Sequence, residues 1–217
     1  MKIEQQHFIT QKTAQVFHLK PKGEIKAVCV AIHGYRQLSK YFIQKFKPFA
    51  ERGIAVVAPE GLNRFYIEGY SGRVGANWMT KEDRETDIED YLFYLNSLLQ
   101  DLRKTYGNVP FHLLGFSQGG ATASRWFASN GFEWKSFILY ASVFPNDFDF
   151  EGQKERFKSL PSYLLFGDSD QFADEATIAS KTAWLAEKGI NPKLIRFEGG
   201  HDIYAKVLEK LATELGV

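Results

Sequence analysis

Gly115-Phe116-Ser117-Gln118-Gly119 follows directly on the apolar run Val109 to Leu114 and leads into the small residues Gly120-Ala121-Thr122-Ala123-Ser124. A buried strand, a G-x-S-x-G turn and a helix in that order are the makings of a nucleophile elbow. Such a turn holds the serine in a strained backbone conformation that lifts its hydroxyl above the sheet. Chain passes close on both sides, which leaves room only for residues without bulky side chains, hence Gly115 and Gly119. The helix then points unpaired N–H groups and a partial positive charge at the serine. The chemistry this suits is acyl transfer, a hydroxyl attacking a carbonyl carbon while backbone donors hold the developing oxyanion. An ordinary capping serine in a Gly-rich turn would spell the same letters, so the assignment depends on partners elsewhere in the chain.

A serine hydroxyl is a weak nucleophile and needs a base, and the base needs a third group to fix its tautomer. Of the five histidines, His7 and His18 fall in the N-terminal segment and His112 lies inside the strand that feeds the elbow. His33 begins a loop but precedes Gly34, in a position suited to a main-chain oxyanion segment, where its side chain would brace the loop. His201 follows a late strand through Gly199-Gly200, a turn that lets a ring swing back towards Ser117. His201 is therefore the expected base, against the plainer reading of a helix-start histidine beside Asp202. Asp168 and Asp170 compete as the acid in Phe166-Gly167-Asp168-Ser169-Asp170. Asp170 is favoured, because Asp168 is nearer the strand end and suits a turn-closing hydrogen bond; Glu198 is too near His201 in sequence. The backbone N–H groups of Tyr35 and Gln118 are the expected oxyanion donors.

The elements that must position these groups alternate along the chain. Lys2 to Thr10 and Thr13 to Lys20 alternate moderately about Gln11-Lys12, which predicts an antiparallel hairpin. Ala27 to Ile32 and Ile54 to Ala58 read as strands buried on both faces, and Tyr41 to Arg52 as a helix capped by Gly53. Pro59 to Thr80 reads as a long irregular section. Ile88, Tyr91, Leu92, Leu95, Leu98, Leu99 and Leu102 mark one face of a long helix that starts near Thr80-Lys81-Glu82-Asp83. Further strands are expected at Phe137–Ala141, Tyr163–Phe166 and Leu194–Phe197, with helices over Ala173–Lys188 and His201–Leu215. Right-handed crossovers then give an α/β fold, a mostly parallel central sheet with helices on both faces and an N-terminal antiparallel hairpin. Ligands bind beyond the carboxyl ends of the strands in such sheets, where His33, Ser117, Asp170 and His201 all fall. One domain over 1–217 is expected, with no large lid insertion.

With 217 residues, 44% of them hydrophobic, the chain can bury a substantial core. A formal net charge of +1, with charges mixed along the chain, gives no case for a nucleic-acid partner. The single cysteine, Cys29, excludes an intrachain disulfide and reads as a buried small hydrophobe. The N-terminus has no signal-peptide core, and no apolar stretch approaches the roughly 20 residues of a membrane span. A cytoplasmic protein is expected. No H-E-x-x-H, C-x-x-C or Walker loop is present, so neither metal nor cofactor is expected, and Gly69 to Gly75 reads as a flexible loop.

Ile32-His33-Gly34, Ala58-Pro59-Glu60-Gly61, Trp78, Gly115-Phe116-Ser117-Gln118-Gly119-Gly120, Phe166-Gly167-Asp168-Ser169-Asp170 and Gly200-His201 together resemble the phospholipase/carboxylesterase family, which includes the acyl-protein thioesterases. These small serine esterases belong to the α/β-hydrolase superfamily, whose triad runs Ser, Asp, His in chain order. The resemblance covers nearly the whole chain and is most specific at Gly-Phe-Ser-Gln-Gly-Gly. It implies Ser117 as nucleophile, Asp170 as acid, His201 as base, and Tyr35 and Gln118 as oxyanion donors. The sequence departs from the family at Tyr35-Arg36-Gln37, where a small residue or leucine and then Gly-Asp is usual. It departs again at Gln171-Phe172-Ala173, in place of a Pro-Val-Val-Pro-like run. Both loops border the expected pocket, so the departures bear on substrate.

Trp78, Met79, Phe144 and Phe172 are the aromatic and apolar residues expected to line an acyl or aryl pocket, against the plainer reading of loop packing. The leading functional expectation is a cofactor-free serine carboxylesterase acting on a small soluble carboxylic or thio ester. An acyl-thioesterase, a lysophospholipase-type hydrolase and an amidase share the same parts. A catalytically inactive binding protein on this scaffold is the alternative of a different class. Monomer and homodimer both stay open.

Overall fold

The computed structural model describes residues 1–217. Its centre is a seven-stranded sheet in the order β1-β3-β2-β6-β7-β8-β9. The strands are β1 (Val16–Leu19), β2 (Ala27–Ile32), β3 (Ile54–Pro59), β6 (Phe111–Phe116), β7 (Ser136–Tyr140), β8 (Ser162–Gly167) and β9 (Lys193–Phe197). All neighbours run parallel except β1, which is antiparallel to β3. β2, β3 and β6 are buried along their whole length, as continuous apolar runs must be when both faces of a sheet are covered.

The period of two in a strand divides the core. Val28, Val30 and Ile32 face one apolar cluster, with Tyr91 and Leu95 of α3 (Arg84–Tyr106), Phe127 of α4 (Gln118–Ser129), Phe157 of α5 (Phe150–Lys158) and Ile178 of α6 (Glu175–Glu187). Ala27, Cys29 and Ala31 face the other, with Phe42 of α1 (Ser39–Phe42), Phe49 of α2 (Lys47–Glu51) and Leu208 of α7 (Ala205–Glu214). Each large side chain fully buried in this way contributes about 1.5–3 kcal/mol. The chain leaves β2 to build β3 on one side and returns to build β6 on the other, so strand order reverses between β2 and β6. A crevice opens at such a reversal. Ile32 is in register with Gly115, which sets the Gly34-Tyr35 loop beside Ser117.

Several elements differ from the sequence-based expectation. The antiparallel N-terminal strand is present, but its partner is β3, with Val16 opposite Pro59 and Leu19 opposite Val56. Residues 2–10 form no strand and are exposed, because the apolar edge of β3 offers Val16–Leu19 more burial than this polar segment could. The helix expected over Tyr41–Arg52 is broken into α1, a 3₁₀ turn at Ile43–Phe46, and α2. Pro48 explains the break, since it lacks an N–H and its ring excludes the carbonyl one turn earlier. Phe42, Phe46 and Phe49 are still buried. Within the section expected to be irregular, β4 (Asn63–Tyr66) and β5 (Val74–Asn77) pair antiparallel. No helix is long and apolar enough to cross a membrane.

Candidate active site

β6 ends at Phe116 and α4 starts at Gln118, so Ser117 is the whole of the turn between them. Its backbone is held at φ 53° and ψ −124°, in the half of the map that side chains with a Cβ avoid. The glycines are there because backbone crosses at contact distance. A Cβ on Gly115 would lie 2.5 Å from the Gly119 carbonyl oxygen, and one on Gly119 would strike the carbonyl oxygen of Ile32.

The Ser117 hydroxyl lies 2.9 Å from His201 Nε2, and His201 Nδ1 lies 2.9 and 3.0 Å from the two Asp170 carboxylate oxygens. A carboxylate only accepts, so Nδ1 carries the ring proton and Nε2 presents its lone pair to the Ser117 hydroxyl. Three residues far apart in sequence, on loops after β6, β8 and β9, thus form one line of hydrogen bonds. The Asp170 side chain is 1% exposed, and the Phe172 N–H also donates to its Oδ1 at 2.9 Å. The rival Asp168 is turned outwards and bound to Arg196, whose Nε donates to Oδ1 at 3.0 Å. The turn carrying His201 is tied down on both sides. Tyr204 Oη accepts from the Gly200 N–H at 2.9 Å, and Lys45 Nζ bridges both oxygens of Asp202 at 2.5 and 2.7 Å.

His33 is buried and far from this line of bonds in role. Its Nδ1–H donates to the Gly34 carbonyl at 2.7 Å and its Nε2 accepts from the Gly61 N–H at 2.9 Å. Burial lowers its pKa to about 4, so the ring is a neutral brace. The loop it braces lies against the elbow, where a Cβ on Gly34 would stand 3.0 Å from Ser117 Cβ. The Gly34 N–H donates to Gln37 Oε1 at 2.8 Å, and the Arg36 N–H donates to the Ala76 carbonyl of β5 at 3.0 Å. Tyr35, between them, has a backbone N–H with no partner in the chain. Gln118 is the first residue of α4, so its N–H lies beyond any intrahelical acceptor. Its side chain is occupied otherwise, with Oε1 accepting from the Trp78 N–H at 3.2 Å and Nε2 donating to the Met79 carbonyl at 3.0 Å.

The four expected pocket residues separate. Phe172 is 70% exposed, and its ring stands edge-on to His201 with centroids 4.7 Å apart. Met79 is half-buried at the end of the segment that Gln118 clasps. Trp78 and Phe144 are corrections, since both are buried in the core. Trp78 packs on Tyr91 and satisfies its indole N–H on the His33 carbonyl at 2.9 Å. Phe144 sits among Phe137, Phe148, Phe150 and Phe157, and this aromatic cluster gains more from burial than a solvent-facing wall would. Tyr35 is an aromatic at the site that sequence reasoning used only for its backbone. Its ring is half-exposed and stacks on Phe65 at 5.3 Å. Ser142, just past β7, was also missed, and its hydroxyl donates to the Ser117 carbonyl at 2.8 Å. Its position after a strand end was the available signal.

A family model described as serine aminopeptidase, S33, matches residues 23–157, a span that holds Tyr35, Ser117 and Gln118 and stops short of Asp170 and His201. Among curated proteins, the alkaline serine protease ver112 of Corniculantispora psalliotae is 25% identical over 171 residues, covering 75% of this chain and 44% of its own. The chain thus spans less than half the length of that curated relative. Among solved structures, acyl-protein thioesterase 2 of Zea mays superposes with a TM-score of 0.72 at 17% identity, over 94% of this chain and 98% of its own. A thermostable carboxyl esterase from Bacillus coagulans does so with 0.72 at 16%, over 97% and 96%. Esterase PE8 gives 0.68 at 22%, over 94% and 98%. At these identities the likeness is one of fold, the α/β-hydrolase fold.

Proposed function

The chain belongs to the serine aminopeptidase S33 family and is a serine hydrolase of the α/β-hydrolase superfamily, and from that premise we propose that it is a carboxylesterase acting on small soluble carboxylic or thio esters. The observation that carries the reading is the unbroken line of hydrogen bonds from Ser117 through His201 to Asp170 at the carboxyl ends of the strands. Ser117 attacks the acyl carbon as His201 Nε2 takes its proton, and Asp170 stabilises the imidazolium that forms. The Tyr35 and Gln118 N–H groups receive the oxyanion. His201 returns the proton to the departing alkoxide or thiolate. Water then repeats the sequence on the acyl-enzyme, giving the acid and free Ser117 through a second tetrahedral intermediate.

Preference for an ester over a peptide rests on the surroundings of His201. A free substrate ammonium would seek a carboxylate, and of those beside Asp170 and His201 in sequence, Asp168 is paired with Arg196 and Asp202 with Lys45, which leaves Glu198 as the exposed one without an ion pair. The rim also carries the exposed ring of Phe172, edge-on to His201, and the half-exposed ring of Tyr35 on the loop that holds its oxyanion donor. An uncharged acyl or aryl group fits that rim. The reading includes a cytoplasmic setting, consistent with a single cysteine that is buried and free.

The test is a series of p-nitrophenyl esters of increasing acyl length set against amino-acid p-nitroanilides. Esters should turn over faster than anilides, with a preference among chain lengths that flattens in Phe172→Ala. Anilide turnover exceeding ester turnover would replace the esterase by an aminopeptidase.

A further inference from the structure

The peptide linking Ser117 to Gln118 carries two functions on one rigid plane. Its N–H is the Gln118 oxyanion donor of the proposed mechanism, and its carbonyl oxygen, Ser117 O, points the opposite way because the amide is planar and trans. Whatever holds that oxygen therefore aims the N–H. Ser142 Oγ–H donates to it at 2.8 Å and the Gly120 N–H at 2.9 Å. The Ser117 N–H in turn donates to the Tyr140 carbonyl at 3.1 Å, so the end of β7 grips the elbow from both sides of the serine. The chain reaches this arrangement through Ala141, which sits at φ 49°, a conformation costing about 1–3 kcal/mol for a residue with a Cβ. The Ala141 N–H fastens that turn to Leu165 O of β8 at 2.7 Å. Gly120 lacks a side chain for the same reason, since a Cβ there would strike Ser142 Oγ.

We propose that Ser142 is a positioning residue for the oxyanion hole: its hydroxyl fixes the plane of the Ser117–Gln118 peptide, and with it the direction of the Gln118 N–H. By drawing electron density towards the carbonyl it also strengthens that N–H as a donor. The inference rests on the esterase reading, in which Gln118 N–H receives the oxyanion. Ser142 would act through the Ser117–Gln118 peptide, so its contribution is expected in the states in which negative charge has developed.

The test compares wild type with Ser142→Ala, Ser142→Cys and Ser142→Thr, reading kcat and KM on p-nitrophenyl butyrate and the inhibition constant of phenylboronic acid, which forms a tetrahedral adduct on a nucleophilic serine. Outright loss of an oxyanion donor costs roughly 10²–10³ in turnover, so a misdirected donor should cost about tenfold or more in kcat. Ser142→Ala and Ser142→Cys are expected to show that loss, a parallel weakening of boronate binding, and a KM within about twofold of wild type. Alanine leaves the hydroxyl's place empty and cysteine more than fills it with a weak donor, so a loss common to both follows the hydrogen bond and not the packing. Ser142→Thr keeps the hydroxyl and should restore most of kcat. Unchanged kcat and boronate affinity in Ser142→Cys, with an active wild type, would overturn the role of Ser142 alone. A wild type that neither hydrolyses the ester nor reacts with a fluorophosphonate would overturn the esterase reading, and this inference with it.

Discussion

At the residue scale the choice between two aspartates two positions apart is the sharpest issue. Position relative to the strand end favoured Asp170 over Asp168, and the geometry gives the physical reason. Asp170 is enclosed and divides its oxygens between His201 Nδ1 and the Phe172 N–H, whereas Asp168 is half-exposed and held by Arg196. Removing the charge while keeping the shape should discriminate between them. Asp170→Asn is expected to lower kcat by about 10⁴, the loss typical when a triad base is held in the wrong tautomer. Asp168→Asn removes one arm of a surface ion pair and should leave kcat within about threefold. Equal losses in the two variants would refute the assignment. That Ser117, Asp170 and His201 come together was legible in the chain, because each closely follows a strand that has a glycine at or just past its end. The burial of Trp78 and Phe144 was not, since residue type alone does not say which way an aromatic ring faces: Trp78 is drawn in by a distant partner, the His33 carbonyl, and Phe144 by neighbours such as Phe148 and Phe150 that carry no periodic signal of a core.

At the element scale the elbow works because two strands and a helix approach more closely than side chains permit. Gly119 lies against the carbonyl oxygens of Ile32 and His33, neither of which can move without disturbing β2 or the oxyanion loop. Gly119→Ala should therefore destabilise the fold by about 1–3 kcal/mol in urea unfolding. Gly69→Ala is the natural control. It has nothing within reach of a Cβ, and its φ of 59° makes its cost conformational alone. A Gly119→Ala protein as stable as wild type would mean that the elbow is looser than this packing. The parallel strands were legible because runs buried on both faces leave an unmistakable apolar signature. β4 and β5 were not. Gly69, Gly72 and Gly75 mimic a loop, yet Gly75 is required because a Cβ there would lie 2.6 Å from Arg36 O. The pairing of β5 with the oxyanion loop, Arg36 N–H to Ala76 O and Ala76 N–H to Gln37 O, is long-range and has no local periodicity to announce it.

At the scale of the whole molecule, two buried histidines make the fold sensitive to mild acid. His33 at the carboxyl end of the sheet and His112 near the amino end each have a pKa lowered to about 4, burial being the leading cause in both. In the unfolded chain both titrate near 6.5, so between about pH 6.5 and 4 the unfolded state holds more protons and stability falls as the pH falls. Between pH 7 and pH 5 each should cost about 2 kcal/mol of unfolding free energy, and the drop should be roughly halved in His112→Asn. A flat urea-derived stability between those pH values would contradict the neutral, buried assignment of both rings. The proposed role of Ser117 as the nucleophile of a serine hydrolase can be checked by intact-protein mass spectrometry after reaction with a fluorophosphonate, followed by mapping of the modified peptide. A single adduct is expected, placed on Ser117 and absent from Ser117→Ala. An adduct that persists in Ser117→Ala, or a folded wild type that takes up none, would contradict that role.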